Sequence, residues 1–107
     1  MPRVDKNFKS DVLKLVSQIP RGRLMTYGQI AALCGAAWAA WEVGQIAHYG
    51  DPDIPWQRVV NKQGGLAKGY PGGVYAHKRE LESEGVKIID NKVDIESLLW
   101  WPPEKNH

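Results

Sequence analysis

The stretch Thr26-Tyr27-Gly28-Gln29-Ile30-Ala31-Ala32-Leu33-Cys34-Gly35 decides the fold. Thr26 and Gln29 have capping-box spacing: a hydroxyl at the N-cap accepts from a free helical N–H, and the amide reaches back to the cap. The pair predicts a helix that opens at Tyr27 and runs to about Leu33. Gly35 is its expected stop, because glycine enters the left-handed conformation without a Cβ penalty. A further helix is expected from about Ala37 to His48, ending before Gly50-Asp51-Pro52. Two short helices joined by a tight glycine-containing turn read as a helix-turn-helix.

Upstream, Phe8, Val12, Leu15, Val16 and Ile19 form one apolar stripe of an amphipathic helix, with Asp5 as expected N-cap and Pro20 with Gly22 as stop. Leu24-Met25 is expected to be extended. Downstream, residues 54–60 read as an extended or turn segment, Asn61 to Gly65 as a turn, and Lys68 to Gly73 as a glycine-rich loop. A helix from Val74 to Glu84 follows, anchored by Leu81 and stopped by Gly85. Val86 to Ile89 and Val93 to Leu99 are open between wing-like strands and a final helix. The expected architecture is a single winged helix-turn-helix-like domain over 1–107, mostly α with short β segments, ending in a frayed tail at 104–107.

At 107 residues and 43% hydrophobic content the chain supports one modest core. No apolar run approaches the roughly 18 residues of a membrane span, so no membrane partner is expected. Met1 to Lys6 is charged and has no apolar signal-peptide centre. The single cysteine, Cys34, excludes an internal disulfide and suits a reducing compartment. One cysteine and three scattered histidines offer no metal-ligand spacing, so neither metal nor cofactor is expected. A net charge of +2 is too small to establish a nucleic-acid partner. Lys6, Lys9, Lys14, Arg21, Arg23, Lys62, Lys68, Lys78 and Arg79 nevertheless outnumber the acids before Glu80, which puts any cationic face in the first three quarters.

Five tryptophans in so short a chain require separate explanations. Ala40, Val43, Gly44 and Ala47 make a small-residue face on the third helix, whereas Trp38, Trp41, Gln45 and His48 make another stripe. If the small face packs inward, the tryptophans point outward, the inverse of an ordinary aromatic core stripe.

The segment Pro55-Trp56-Gln57-Arg58-Val59-Val60 resembles the active-site signature of the O6-alkylguanine-DNA alkyltransferases, Pro-Cys-His-Arg-Val followed by Ile or Val. Four further blocks agree in order: Ile19-Pro20-Arg21-Gly22 leading to Thr26–Ala31, Ala39–Gly44, Gly69–Gly73 and Leu81–Gly85. The resemblance covers about Asn7 to Gly85, without the N-terminal domain that many alkyltransferases carry. Trp56 stands at the position of the alkyl-accepting cysteine and Gln57 at that of the activating histidine. An indole cannot accept an alkyl group by displacement, and a neutral amide is no general base. The chain is therefore similar to the alkyltransferase-like proteins, which also carry tryptophan there and share its Trp101-Pro102 ending.

The resemblance implies a helix-turn-helix docked in the DNA minor groove and a damaged guanine rotated into a pocket lined by the signature. Tyr27 would crowd the target phosphate, although a half-buried helix-start tyrosine fits its spacing equally. Trp56 would form the pocket wall, its indole favouring an alkyl group at about 0.8 kcal/mol per buried methylene; the competing reading is an ordinary core tryptophan beside a proline. Gln57 would meet a base edge or water, or be a structural amide; Arg58 would reach the lesion or brace the pocket. Tyr70 would point its hydroxyl at the guanine O6 edge, and Gly72 with Gly73 would let backbone approach the base. Glu84 would orient Gln57 or a helix start. Asp51 replaces the family's hinge asparagine, which puts the hinge hydrogen bonds in doubt. Trp41 replaces the arginine finger. Three outcomes are open: an aromatic wedge, partial takeover by Trp38 and Gln45, or loss of base flipping.

What these residues suit best is a monomeric, non-enzymatic sensor of alkylated guanine in double-stranded DNA, flagging it for nucleotide excision repair proteins. It would be cytoplasmic beside the nucleoid in a prokaryote, or nuclear in a eukaryote. The competing readings are a helix-turn-helix DNA binder or regulator that has lost lesion recognition, and an active enzyme working through Cys34 or by hydrolysis. Cys34 is better explained as a small core residue.

Overall fold

A computed structural model describes residues 4–103; the expected tail at 104–107 lies outside them. The helix α1 (Phe8–Gln18) buries Phe8, Val12, Leu15 and Val16, the apolar stripe of the sequence. Its N-cap is Asn7, without a side-chain bond. Asp5 acts one turn earlier, accepting from the Asn7 N–H at 2.8 Å. The expected Asp5 cap is thus corrected: two residues of turn separate it from the helix.

The strand β1 (Met25–Thr26) leads directly into α2 (Tyr27–Leu33), with both bonds of the capping box formed. Gly35 has φ of +86°, as its place after the helix requires. The next helix, α3 (Ala40–His48), starts later than the alanine-rich sequence suggests. The Ala36 N–H returns to the Ala31 carbonyl at 2.9 Å, and Ala39 N–H to Ala36 at 2.8 Å. These bonds make the turn of the helix-turn-helix, so Trp38 lies in it and not on the α3 stripe. Local alanine propensity yields to the closure of the turn.

A 3₁₀ turn (Trp56–Arg58) runs into β2 (Val59–Val60), which pairs in parallel with β1, Met25 opposite Val59 and Thr26 opposite Val60. This pairing fixes the signature segment beside the start of α2. After the glycine-rich loop comes α4 (Gly73–Ser83). Both open possibilities for the C-terminal part occur together. The strands β3 (Ile88–Ile89) and β4 (Lys92–Val93) form an antiparallel wing, followed by the short helix α5 (Ile95–Leu98). Asp90 and Asn91 have φ of 53° and 60°, the paired positive values of a type I′ hairpin turn.

The core has two parts. One joins α1, α2 and α3 with Met25, Val59 and Trp56. The other gathers Leu24, Val60, Leu66, Leu81, Val86 and Val93 beneath α4 and the wing. Adjacent residues fall on opposite sides, Met25 and Val59 in the first part and Leu24 and Val60 in the second, and so tie the helix-turn-helix to the rest. Arg21 and Arg23, counted above toward a cationic face, are staples: their guanidinium groups donate to the Ser83 carbonyl at 2.6 Å and the Leu99 carbonyl at 2.8 Å.

Candidate nucleic-acid interface

A broad groove of about 1730 Å³ lies between the helix-turn-helix and the signature segment. Tyr27 and Gly28 contribute from the start of α2; Trp41, Gly44, Gln45 and His48 contribute from α3. The hinge around Asp51, the signature residues Trp56, Gln57 and Arg58, and the loop residue Tyr70 complete it. Trp38 and Gly72 are not on its surface, contrary to expectation. Trp38 projects from the preceding turn, 51% exposed. Gly72 caps α4 with φ of +87°, and a Cβ there would lie 2.7 Å from that of Ala76. Its glycine is explained by local backbone, with no ligand required.

Trp41 is 70% exposed at the first turn of α3, as expected, but the small-residue face does not pack inward as a whole: only Val43 is buried, and Ala40, Gly44 and Ala47 line the groove. Trp56 divides itself between two roles. Its ring is only 7% exposed and packs in the first core, yet one surface lines the groove. Its Nε1 is buried and without a hydrogen-bond partner among the described residues. Gly50 crosses over that edge: a Cβ there would approach Nε1 to 2.5 Å and the Ile46 carbonyl oxygen to 2.9 Å. A Gly50→Ala variant should therefore lose about 1–3 kcal/mol by overpacking. Chemical denaturation measures this directly; an unchanged midpoint would contradict the contact.

Glu84 closes the polar side of the site. Its side chain is 2% exposed, against 17% for Arg58. The carboxylate accepts from Gln57 Nε2 at 2.8 Å, Arg58 Nε at 2.9 Å and the Gly22 N–H at 2.9 Å. Burial alone would raise this carboxyl, but the bonds from Arg58, Gln57 and Gly22 outweigh burial and hold it below its ordinary value. Arg58 also donates to the Ile19 carbonyl at 2.8 Å. Arg58 is thus held by Glu84 and the Ile19 carbonyl, and Gln57 has its amide nitrogen anchored by Glu84. Asp51 accepts from the Asp53 N–H at 2.8 Å, making a local turn that an asparagine oxygen would make equally.

His77 was not singled out in the sequence, although it stands one helical turn before Leu81 on the same face of α4. It is fully buried. The Ala67 N–H donates to its Nδ1 at 3.0 Å, so Nε2 carries the proton and donates to the Gln57 carbonyl at 2.8 Å. Tyr70 stacks on the ring at 4.6 Å between centroids. One side chain thus fixes the signature backbone and the glycine-rich loop together. Burial lowers the His77 pKa, against a smaller opposing effect of the Gln57 carbonyl. A neutral buried histidine contributes stability above its unfolded pKa of about 6.5, and loses it as pH falls through the lower folded value. Denaturation midpoints should fall below that pH in the wild type, and a His77→Gln variant should lack this part of the decline.

Tyr27 is half-buried, and burial raises its phenol pKa, so the hydroxyl keeps its proton for donation. Burial also raises the Tyr70 pKa, with Glu80 and Glu84 adding to it. Cys34 is half-buried against the first core and off the groove. Burial, then the charge of Asp11, raises its pKa and disfavours the thiolate. Among the described residues no group of three or more His, Cys, Asp or Glu side chains could hold a metal ion. No described helix is long and apolar enough to cross a membrane.

Residues 7–86 match the family described as 6-O-methylguanine DNA methyltransferase, DNA binding domain. Alkyltransferase-like protein 1 of Schizosaccharomyces pombe is 34% identical, over 94% of this chain and 99% of the relative. The DNA base-flipping protein of Escherichia coli is 31% identical, over 94% of this chain and 83% of the relative. The fold superposes on S. pombe Atl1 in complex with damaged DNA containing O6-carboxymethylguanine. The TM-score is 0.82 at 33% identity, over 95% of this chain and 100% of that one. With the signature segment folded against the helix-turn-helix and tryptophan in its second position, the chain belongs to the alkyltransferase-like branch of the 6-O-methylguanine DNA methyltransferase DNA-binding family.

Proposed function

We propose that this protein is a non-enzymatic sensor that binds double-stranded DNA, holds an O6-alkylated guanine out of the stack, and leaves it chemically unchanged. The observation that carries this is the groove wall at residues 56–58. Trp56 offers an indole surface, and Gln57 and Arg58 are tied to Glu84, leaving no nucleophile beside an activating base. Relatives named for base flipping and solved with damaged DNA support the same activity. Docking is through the minor groove, with lysines around the helix-turn-helix giving salt-dependent phosphate contacts. Tyr27 presses on the target phosphate, Trp41 fills the gap left by the base, and Trp56 and Tyr70 receive it. The extruded lesion is then a mark for nucleotide excision repair proteins.

Matched duplexes containing guanine or O6-methylguanine test this. The lesion duplex should bind more tightly, and Trp41→Ala should weaken that binding by about 1–3 kcal/mol, the size of one stacking contact. Its thermal stability should stay near wild type, because the ring is 70% exposed. Equal affinity for the two duplexes would instead favour a helix-turn-helix regulator. Trp41, Gln57 and Asp51, where the chain departs from the family pattern, are the residues that favour this second reading.

A further inference from the structure

The surface that α3 offers to the groove carries the Trp41 ring and no lysine or arginine side chain. Between Ala40 and His48 there is no Lys or Arg; Glu42 is the one carboxylate. Trp41 projects from the first turn at 70% exposure. The small residues Ala40 and Gly44 line the groove beside it. Gln45, one turn further, is exposed on the same surface.

Extruding a guanine leaves its former partner unpaired in the opposite strand. Whether the protein reads that orphaned base depends on what fills the vacated space. A guanidinium brings five donors in a fixed fork and can match one base edge in preference to the others. An indole brings two π faces and a single N–H. Every base has a π face, so stacking is tolerant of sequence. Every base also has at least one acceptor on its pairing edge, so one donor cannot tell them apart. The Gln45 amide presents donor or acceptor by rotation and adapts to either.

We propose that Trp41 makes lesion recognition independent of the base opposite, so that alkylated guanine is held as well opposite thymine as opposite cytosine. This rests on the sensor reading above. Alkylation at O6 removes the proton from guanine N1 and allows pairing with thymine, so the thymine-opposed lesion is what one round of replication leaves. A sensor that ignores the orphan would engage the lesion both before and after that round.

The test uses the full chain and O6-methylguanine duplexes with cytosine, thymine or adenine opposite, beside an undamaged guanine–cytosine duplex. Wild type, Trp41→Arg and Gln45→Ala are measured on all four. Position 41 is exposed, so the arginine variant should fold. Wild-type affinities for the three lesion duplexes should agree within about threefold, whereas a bidentate reader discriminates by on the order of 5- to 150-fold. Trp41→Arg should acquire a cytosine preference relative to wild type; the DNA's own pairing differences cancel in that ratio. Gln45→Ala should keep the flat profile. A wild-type preference for one opposing base beyond about threefold would overturn the proposal. So would identical profiles for wild type and Trp41→Arg, or a profile that appears only when Gln45 is removed. If the lesion duplexes bind no better than the undamaged one, the sensor reading itself fails. Tight lesion binding with a strong opposing-base preference removes only the inference drawn from Trp41.

Discussion

Replacing Glu84 with alanine is expected to destabilise the protein by about 3–5 kcal/mol, the range for breaking a buried pair by removing one partner. The carboxylate is 2% exposed and collects bonds from Arg58, Gln57 and Gly22. Without it, a guanidinium that is 17% exposed keeps only its bond to the Ile19 carbonyl. A small domain has about 5–15 kcal/mol in total, so the loss is a large fraction of the whole. The melting temperature should fall by more than about 10 °C. The pH dependence has a definite sign. Because the folded Glu84 pKa is depressed, its stabilisation is complete above the ordinary value of about 4.3 and disappears as pH falls through the lower folded value. The gap between wild type and Glu84→Gln should therefore be widest near neutrality and narrow in strong acid. A gap that does not change with pH would mean that the charge contributes nothing.

Trp56→Ala is expected to cost about 3–5 kcal/mol, as for large aromatic side chains removed from a core. The ring packs with α1, α2 and α3 at 7% exposure and also lines the groove. This makes alanine a poor probe of the site alone. Trp56→Phe retains most of the packing and changes the wall: it should fold and lose part of the preference for O6-methylguanine over guanine. Equal selectivity in Trp56→Phe and wild type would remove the indole from lesion recognition while leaving its structural role intact.

The sequence made α2 legible because its signals are local. Thr26, Gln29 and Gly35 fix both ends through bonds within a few residues, and the helix falls at Tyr27–Leu33 as expected. The start of α3 was not legible. Ala36 to Ala40 favour helix by propensity, but the chain must turn there, and bonds back to Ala31 and Ala36 delay the helix to Ala40. Most of the expected site converges on one groove: Tyr27, Trp41, Gln45, Asp51, Trp56, Gln57, Arg58 and Tyr70. Trp38 and Gly72 do not, since each is governed by its own turn. The commitment of Arg58 and Gln57 to Glu84 joins residues 26 and 27 positions apart, beyond the reach of local pattern. His77 was missed because a lone histidine in a charged helix gives no sign that both its nitrogens are used inside.

One measurement addresses directly whether an unreactive ring turns the signature into a reversible grip. Protein bound to an O6-methylguanine duplex is displaced by excess competitor, and both components are recovered and weighed by intact mass. The methyl group should still be on the DNA, the protein should be unmodified, and it should bind fresh lesion duplex with undiminished capacity. Protein that carries an added methyl group, or DNA returned with plain guanine, would contradict the mechanism at its root.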